Sequence, residues 1–289
     1  MTELDRRIHA IRDDLVAAAL KDQVDAPAYA QPIPAKVIVG HTPLRHSPAI
    51  DSALDSELLF GEQIDVFETS NDWCWVQNKT DGYVGYVTRD VLGELGEGGP
   101  APTHRVSTLR SYLYPEPDLK TPPLDVLSLT TALTINNEVN GFGDTGHGWV
   151  WCRHLSAFDQ FETNIVAVAC AFLGTPYLWG GRTSIGLDCS AFVQLTLASC
   201  GLQVPRDTDM QENAMDRLNN WSGSEEDLRS GDLIFWKGHV AMWLGHNRLI
   251  HANSTDMAVT PGPLYDTIEH IKQETGEPVS SVRRPRFSK

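Results

Sequence analysis

No lysine- or arginine-rich run occurs in this sequence, and 23 basic against 38 acidic side chains leave a formal net charge of -15. Nucleic acid and anionic membrane surfaces are poor partners for such a chain. No stretch approaches the roughly 18 apolar residues of a membrane span. The start, Met1-Thr-Glu-Leu-Asp-Arg-Arg, is followed by one short apolar run, Leu15 to Leu20. A secretory leader needs an apolar run of roughly 7–15 residues, so the expected location is the cytoplasm. Five cysteines, Cys74, Cys152, Cys170, Cys189 and Cys200, are odd in number and contain no Cys-x-x-Cys pair. That argues against a disulfide framework and structural zinc, and no metal or cofactor is expected.

What is present falls into segments. Leu4, Ile8, Ile11, Leu15 and Ala18 recur every three or four residues, which predicts a helical arm. Proline- and alanine-rich Ala26 to Pro34 closes it as a linker, making residues 1–34 one segment. From 35 to 92 the period becomes two: Val37 and Val39, Leu58 and Phe60, Ile64 and Val66, Trp73 and Trp75, Val84 and Tyr86. Short alternating runs between Gly, Asp, Asn and Pro turns predict a small β-barrel. A second linker, Gly93 to Pro102, precedes a shorter and more diverged echo over 101–157. There Ser107-Thr-Leu-Arg repeats Thr42-Pro-Leu-Arg, and Gly148-Trp-Val-Trp-Cys repeats Asp72-Trp-Cys-Trp-Val. In that alignment Cys74 falls opposite Val150 and Cys152 opposite Val76, positions where valine serves equally, so both cysteines are expected in barrel cores.

From 161 to 289 the pattern is α+β. Ile165 to Leu173 predicts a helix leading into Gly174-Thr-Pro-Tyr-Leu-Trp-Gly-Gly, and a second, amphipathic helix starts at Cys189 and ends at Gly201. Three runs, beginning at Gly231, Gly238 and Arg248, predict adjacent antiparallel strands. A thiol at a helix N-terminus meets backbone N–H groups and the positive end of the helix dipole, which favour a thiolate and can hold an oxyanion. A free cysteine is also commonly a small buried hydrophobe, and Cys189 alone does not decide between the two. A nucleophile needs a base and the base an orienting group; His239 and His251, on neighbouring strands, can share one face.

The motifs Gly174-Thr-Pro-Tyr-Leu-Trp-Gly-Gly, Asp188-Cys-Ser, Gly231-Asp-Leu-Ile-Phe, Gly238-His-Val-Ala and His251-Ala together resemble the NlpC/P60 family of papain-like cysteine peptidases. The two earlier segments resemble bacterial SH3 (SH3b) modules, the first through Leu44-Arg45, Leu59-Phe-Gly-Glu62 and Asp81-Gly-Tyr-Val-Gly-Tyr-Val. The resemblance implies Cys189 as nucleophile, His239 as base, His251 as orienting group and Tyr177 near the oxyanion. Ala191 stands where the family often has glycine. A related acyl-transfer family places the histidine before the cysteine; here Cys189 precedes His239 by 50 residues.

Two SH3b-like modules ahead of the peptidase resemble γ-D-glutamyl-L-diamino acid endopeptidases, which cut peptidoglycan stem peptides carrying a free N-terminal L-alanine. An acidic group must then receive the alanine ammonium. Asp207, 18 residues after Cys189, takes that place, though it also stands where a helix cap would. Trp179, Ser190 and Thr208 are implied contacts beside it, with Glu62 and Tyr83 from the first barrel. If Glu62 or Tyr83 contributes, one end of the cleft is walled off, and the enzyme recycles freed stem peptides. The competing readings are an exported hydrolase of intact wall and a wall-binding protein with an inert peptidase domain.

Overall fold

A computed structural model describes residues 4–95, 101–219 and 221–287. The chain divides into two compact units, one ending at Asp159 and the other beginning at Gln160. Most of the second expected linker, residues 96–100, lies outside the described residues.

The first unit opens without the expected helical arm. Residues 4–24 contain turns, a strand Leu15–Ala17 paired in parallel with Ala28–Ala30, and one 3-10 turn, Ala18–Leu20. The expected linker is thus partly strand, since Ala28–Ala30 falls within it. The apolar residues that suggested a helix serve another purpose. Ile8 packs on the core of the first barrel, while Ala10, Leu15, Ala17 and Leu20 gather around Trp75, whose ring lies under the Arg12 guanidinium at 4.7 Å. The barrel also takes backbone bonds from the segment: Val84 N–H donates to Arg7 O at 2.8 Å, and the Gln77 amide to Ile8 O at 2.8 Å. Helical stability in proteins comes mostly from tertiary packing of an apolar face, and here that packing is made by a strap along the barrel instead.

The first barrel is a seven-stranded antiparallel sheet from Ile33–Val37 to Leu92–Glu94. The alternation in sequence puts Val37, Leu44, Leu58, Ile64, Val66, Val76 and Val87 into one core, with Cys74 and Tyr83 among them. The second repeat forms a five-stranded and a three-stranded sheet around Val106, Leu113, Leu127, Leu133 and Val150. Phe60 of the first barrel inserts into that second core, and Asp125 accepts the Gly40 N–H at 2.6 Å.

The second unit begins with helix α1, Ile165–Ala171, capped by the Asn164 side chain. Helix α2, Cys189–Ser199, lies on a six-stranded antiparallel sheet against strands His239–Gly245 and Arg248–Asn253. Contrary to the amphipathic expectation, all eleven residues of α2 are buried. Its polar side chains are absorbed internally: Gln194 accepts from Arg182 Nε at 3.0 Å and donates to Val204 O, and Ser199 Oγ donates to Leu195 O. Short helix α3 spans Thr208–Ala214, and α4 spans Leu264–Thr275. Two tight turns set the central strands. Lys237-Gly238, with Gly238 at φ 76°, folds His239 directly opposite Trp236; His246-Asn247, both at positive φ, turns Gly245 back to Arg248.

Candidate active site

Asp188 begins the site by ending the loop before α2. Its carboxylate accepts the Ala191 N–H at 2.8 Å, the N-cap bond that starts the helix, so Cys189 becomes the first helical residue. The thiol donates toward the Gly238 carbonyl at 4.0 Å, and the Val240 and Ser190 N–H groups point at its sulfur. Gly238 and Val240 flank His239 in the chain. The sulfur therefore sits against the backbone on both sides of that histidine.

His239 and His251 share a face because Met242 pairs with Ile250. His239 lies three residues before Met242 and His251 one after Ile250, so both side chains point away from that pair's face. His239 Nε2 and His251 Nδ1 are 2.8 Å apart, and the Trp236 ring lies 5.8 Å from the His239 ring at 40°. With Nε2 engaged by His251, Nδ1 is the nitrogen of His239 left to take a thiol proton.

Burial dominates the electrostatics. It pushes the Cys189 thiol up, with the Asp188 charge adding to the effect, and pushes the His239 imidazole down, with His251 adding. His251 is likewise lowered by burial, against a pull upward from Asp256. The Cys189 and His239 shifts both act toward the uncharged forms, thiol and imidazole. Tyr177 is half-buried, its phenol pKa raised by burial and then by the Cys189 and Asp188 charges. It stays protonated and can donate a hydrogen bond.

The remaining sequence candidates separate. Asp207 occupies the N-cap position of α3, yet its side chain makes no capping bond, so the cap reading is not realised. Thr208 is the first residue of that helix and half-buried. Trp179 is 71% exposed on the turn before α2. The side chain of Ser190 donates to Asp188 Oδ1 at 3.0 Å and accepts from Arg206 at 2.8 Å within a buried network. In the first unit, Glu62 accepts from the Leu59 N–H at 2.9 Å and the Asn78 amide at 3.2 Å, and Tyr83 is buried in the barrel core. Sequence reasoning missed Arg206, 1% exposed and bonded to Asp188, and the Val240 N–H. A guanidinium beside Asp207 was the available signal, but buried and exposed arginines look alike in a sequence.

A thiol on a helix N-terminus, packed on an antiparallel sheet that presents two bonded histidines, defines a papain-like cysteine hydrolase. Residues 174–276 match the NlpC/P60 family, and residues 44–92 match the bacterial dipeptidyl-peptidase Sh3 domain. The second unit thus carries a cysteine peptidase domain of the NlpC/P60 family, with bacterial SH3 structure ahead of it in the chain. It is 28% identical over 258 residues to a γ-D-glutamyl-L-lysine dipeptidyl-peptidase of Bacillus cereus, covering 77% of this chain and 74% of that protein. It is 24% identical to dipeptidyl-peptidase 6 of Lysinibacillus sphaericus, covering 81% and 93%. An NlpC/P60 family crystal structure from Bacillus cereus shares the fold, with a TM-score of 0.74 at 22% identity over 87% of this chain and 99% of that one.

Proposed function

We propose that this peptidase hydrolyses the bond between D-glutamate and the L-diamino acid in peptidoglycan stem peptides whose N-terminal L-alanine is free. The observation that carries the reading is the placement of the Cys189 sulfur between Gly238 O and the Val240 N–H, beside a base already bonded to His251. His239 Nδ1 takes the thiol proton while its Nε2–H is donated to His251. The thiolate attacks the γ-carbonyl, and the oxyanion is received by the backbone at the start of α2 with the Tyr177 phenol beside it. His239 then gives its proton to the departing amine, leaving a thioester on Cys189 that water hydrolyses with His239 again as base.

Substrate class rests on Asp207 and on the relatives. Asp207 follows Arg206, which is bonded to Asp188 beside the nucleophile, so its backbone is tethered to the start of α2. A carboxylate held there suits the L-alanine ammonium, which supplies one charge and three donors. Both relatives are named dipeptidyl-peptidases over most of this chain, and release of an N-terminal dipeptide requires a free amine. Trp179 and Thr208 are assigned to the same cleft. The substrate would then be freed stem peptide, recycled in the cytoplasm.

The test is release of the dipeptide L-Ala-γ-D-Glu from L-Ala-γ-D-Glu-L-lysine and its diaminopimelate counterpart. N-acetylated tripeptide and purified sacculi serve as comparison substrates. Turnover of the free tripeptides at least about 100-fold faster than either comparison supports the proposal. Equal rates on sacculi would replace it with a hydrolase of intact wall, and binding to sacculi without any turnover would replace it with an inert wall-binding protein.

A further inference from the structure

Asp188 does two things at once. As N-cap it stabilises α2, since a negative charge suits the positive end of a helix. As the residue before Cys189 it places that same charge against the sulfur, where it opposes a thiolate. A bare carboxylate there would hinder the reaction the helix end otherwise favours.

Arg206 resolves the conflict. Its guanidinium grips Asp188 with two nitrogens, Nη1 to Oδ1 at 2.9 Å and Nη2 to Oδ2 at 2.6 Å. Nη1 also donates to Ser190 Oγ at 2.8 Å, and Nη2 reaches Gly181 O at 3.3 Å. Asp188 Oδ2 in turn holds the Gly180 N–H at 3.0 Å. Each residue of the pair is nine-tenths buried or more, so the interaction is little screened by solvent. The fork geometry is one that lysine cannot reproduce.

We propose that Arg206 is a positioning residue of the peptidase, neutralising the Asp188 cap so that the helix can keep its carboxylate while Cys189 ionises. The inference rests on the reading of Cys189 as nucleophile. The charges that act on the thiol agree with it: Asp188 pushes the thiol pKa up and Arg206 pulls it down. Tyr177 also interacts with Cys189, and a phenol that stays protonated cannot cancel the cap; His239, whose flanking backbone lies against the sulfur, is lowered by burial and by His251 and supplies no fixed cation.

The experiment measures the pH midpoint for alkylation of Cys189 by iodoacetamide, read on the Cys189 peptide by mass spectrometry. It compares the full-length protein with Arg206→Gln, Asp188→Asn and the double variant. The substitution Asp188→Asn keeps a side-chain oxygen for the Ala191 N–H, so helix capping is preserved. Removing the cation should raise the midpoint by about one pH unit, and removing the carboxylate should lower it by a similar amount. The double variant should return near the parent value. Should Arg206→Gln not fold, the downward shift of Asp188→Asn and the parent-like double variant carry the test. Midpoints that do not move, or that move in the same direction in both single variants, would overturn the proposal and leave Arg206 a structural clasp. The readout is chemical, so it is separate from the peptidase reading itself, which fails if Cys189→Ala retains activity.

Discussion

His239 Nε2 stands 2.8 Å from His251 Nδ1, which leaves Nδ1 of His239 outside that contact. For His239 to receive a proton on Nδ1 it must carry its own on Nε2 and donate it to His251. His251→Leu removes the acceptor and frees the ring to adopt the other tautomer. We expect kcat to fall by roughly 10²-fold or more with KM little changed. His251→Asn retains an acceptor oxygen and should recover at least about tenfold of that loss. Steady-state kinetics on the free tripeptide checks both, and equal losses in the two variants would show that acceptance by residue 251 is immaterial.

On the proposed mechanism, Tyr177 donates where negative charge develops. Its phenol is held protonated by burial and by the neighbouring Cys189 and Asp188 charges, so it contributes to an oxyanion without titrating in the working range. Tyr177→Phe should lower kcat by roughly 10²-fold and leave KM nearly unchanged, the mark of an interaction made in the transition state. A change confined to KM would assign Tyr177 to ground-state binding instead.

On the proposed specificity, Asp207 reads the free amine. A charge-assisted bond of this kind is worth about 1.5–3 kcal/mol, so Asp207→Asn should lower kcat/KM on the free tripeptide by roughly 10–100-fold. On the N-acetylated peptide, which has no ammonium, the same variant should change little. If both substrates lose equally, Asp207 supports α3 rather than selecting substrate.

Parts of this site were legible because they are local. A polar Asp-Cys-Ser triplet ahead of an apolar run announces a helix start, and strands separated by two-residue turns place His239 and His251 on neighbouring strands. A register shift between Trp243 and Gly245 that leaves no trace in the sequence is what brings them to one face, since the turn alone would set His251 opposite Met242. The rest depends on contacts between distant residues. The buried fork between Arg206 and Asp188 spans 18 positions and leaves no periodic trace. It also explains why Ser190, adjacent to the nucleophile, spends its hydroxyl on the network. The N-terminal strap misleads for a related reason: Ile8 and Leu15, seven residues apart, are spaced like a helix face, but the surfaces they cover are the barrel's, Ile8 on its core and Leu15 at Trp75. In α2, burial from every side removes the polar face that a helix on a domain surface would show.

Burying two neutral histidines ties the stability of the peptidase unit to pH. Burial lowers His239 to about 3 and His251 to about 4, whereas in the unfolded chain each titrates near ~6.5. Their folded values are depressed, so their contribution is fully present above that unfolded value and is lost as pH falls toward the folded ones. Within that window the unfolded state binds protons that the folded state refuses, at about 1.4 kcal/mol per pH unit for each histidine. The lowered carboxylates Asp5, Asp14, Asp227 and Asp256 also lose their contribution as pH falls, but their window lies below the ordinary value of 3.8. Between about pH 6.5 and 5 the histidines therefore set the slope among these groups, with roughly 1.5 kcal/mol lost for each. Hydrogen exchange in strands His239–Gly245 and Arg248–Asn253, corrected for intrinsic rates, should show this loss in the parent protein. His251→Asn, with one titrating ring fewer, should lose about half as much over the same range. Identical pH slopes for the parent and this variant would show that His251 is not held neutral by the fold.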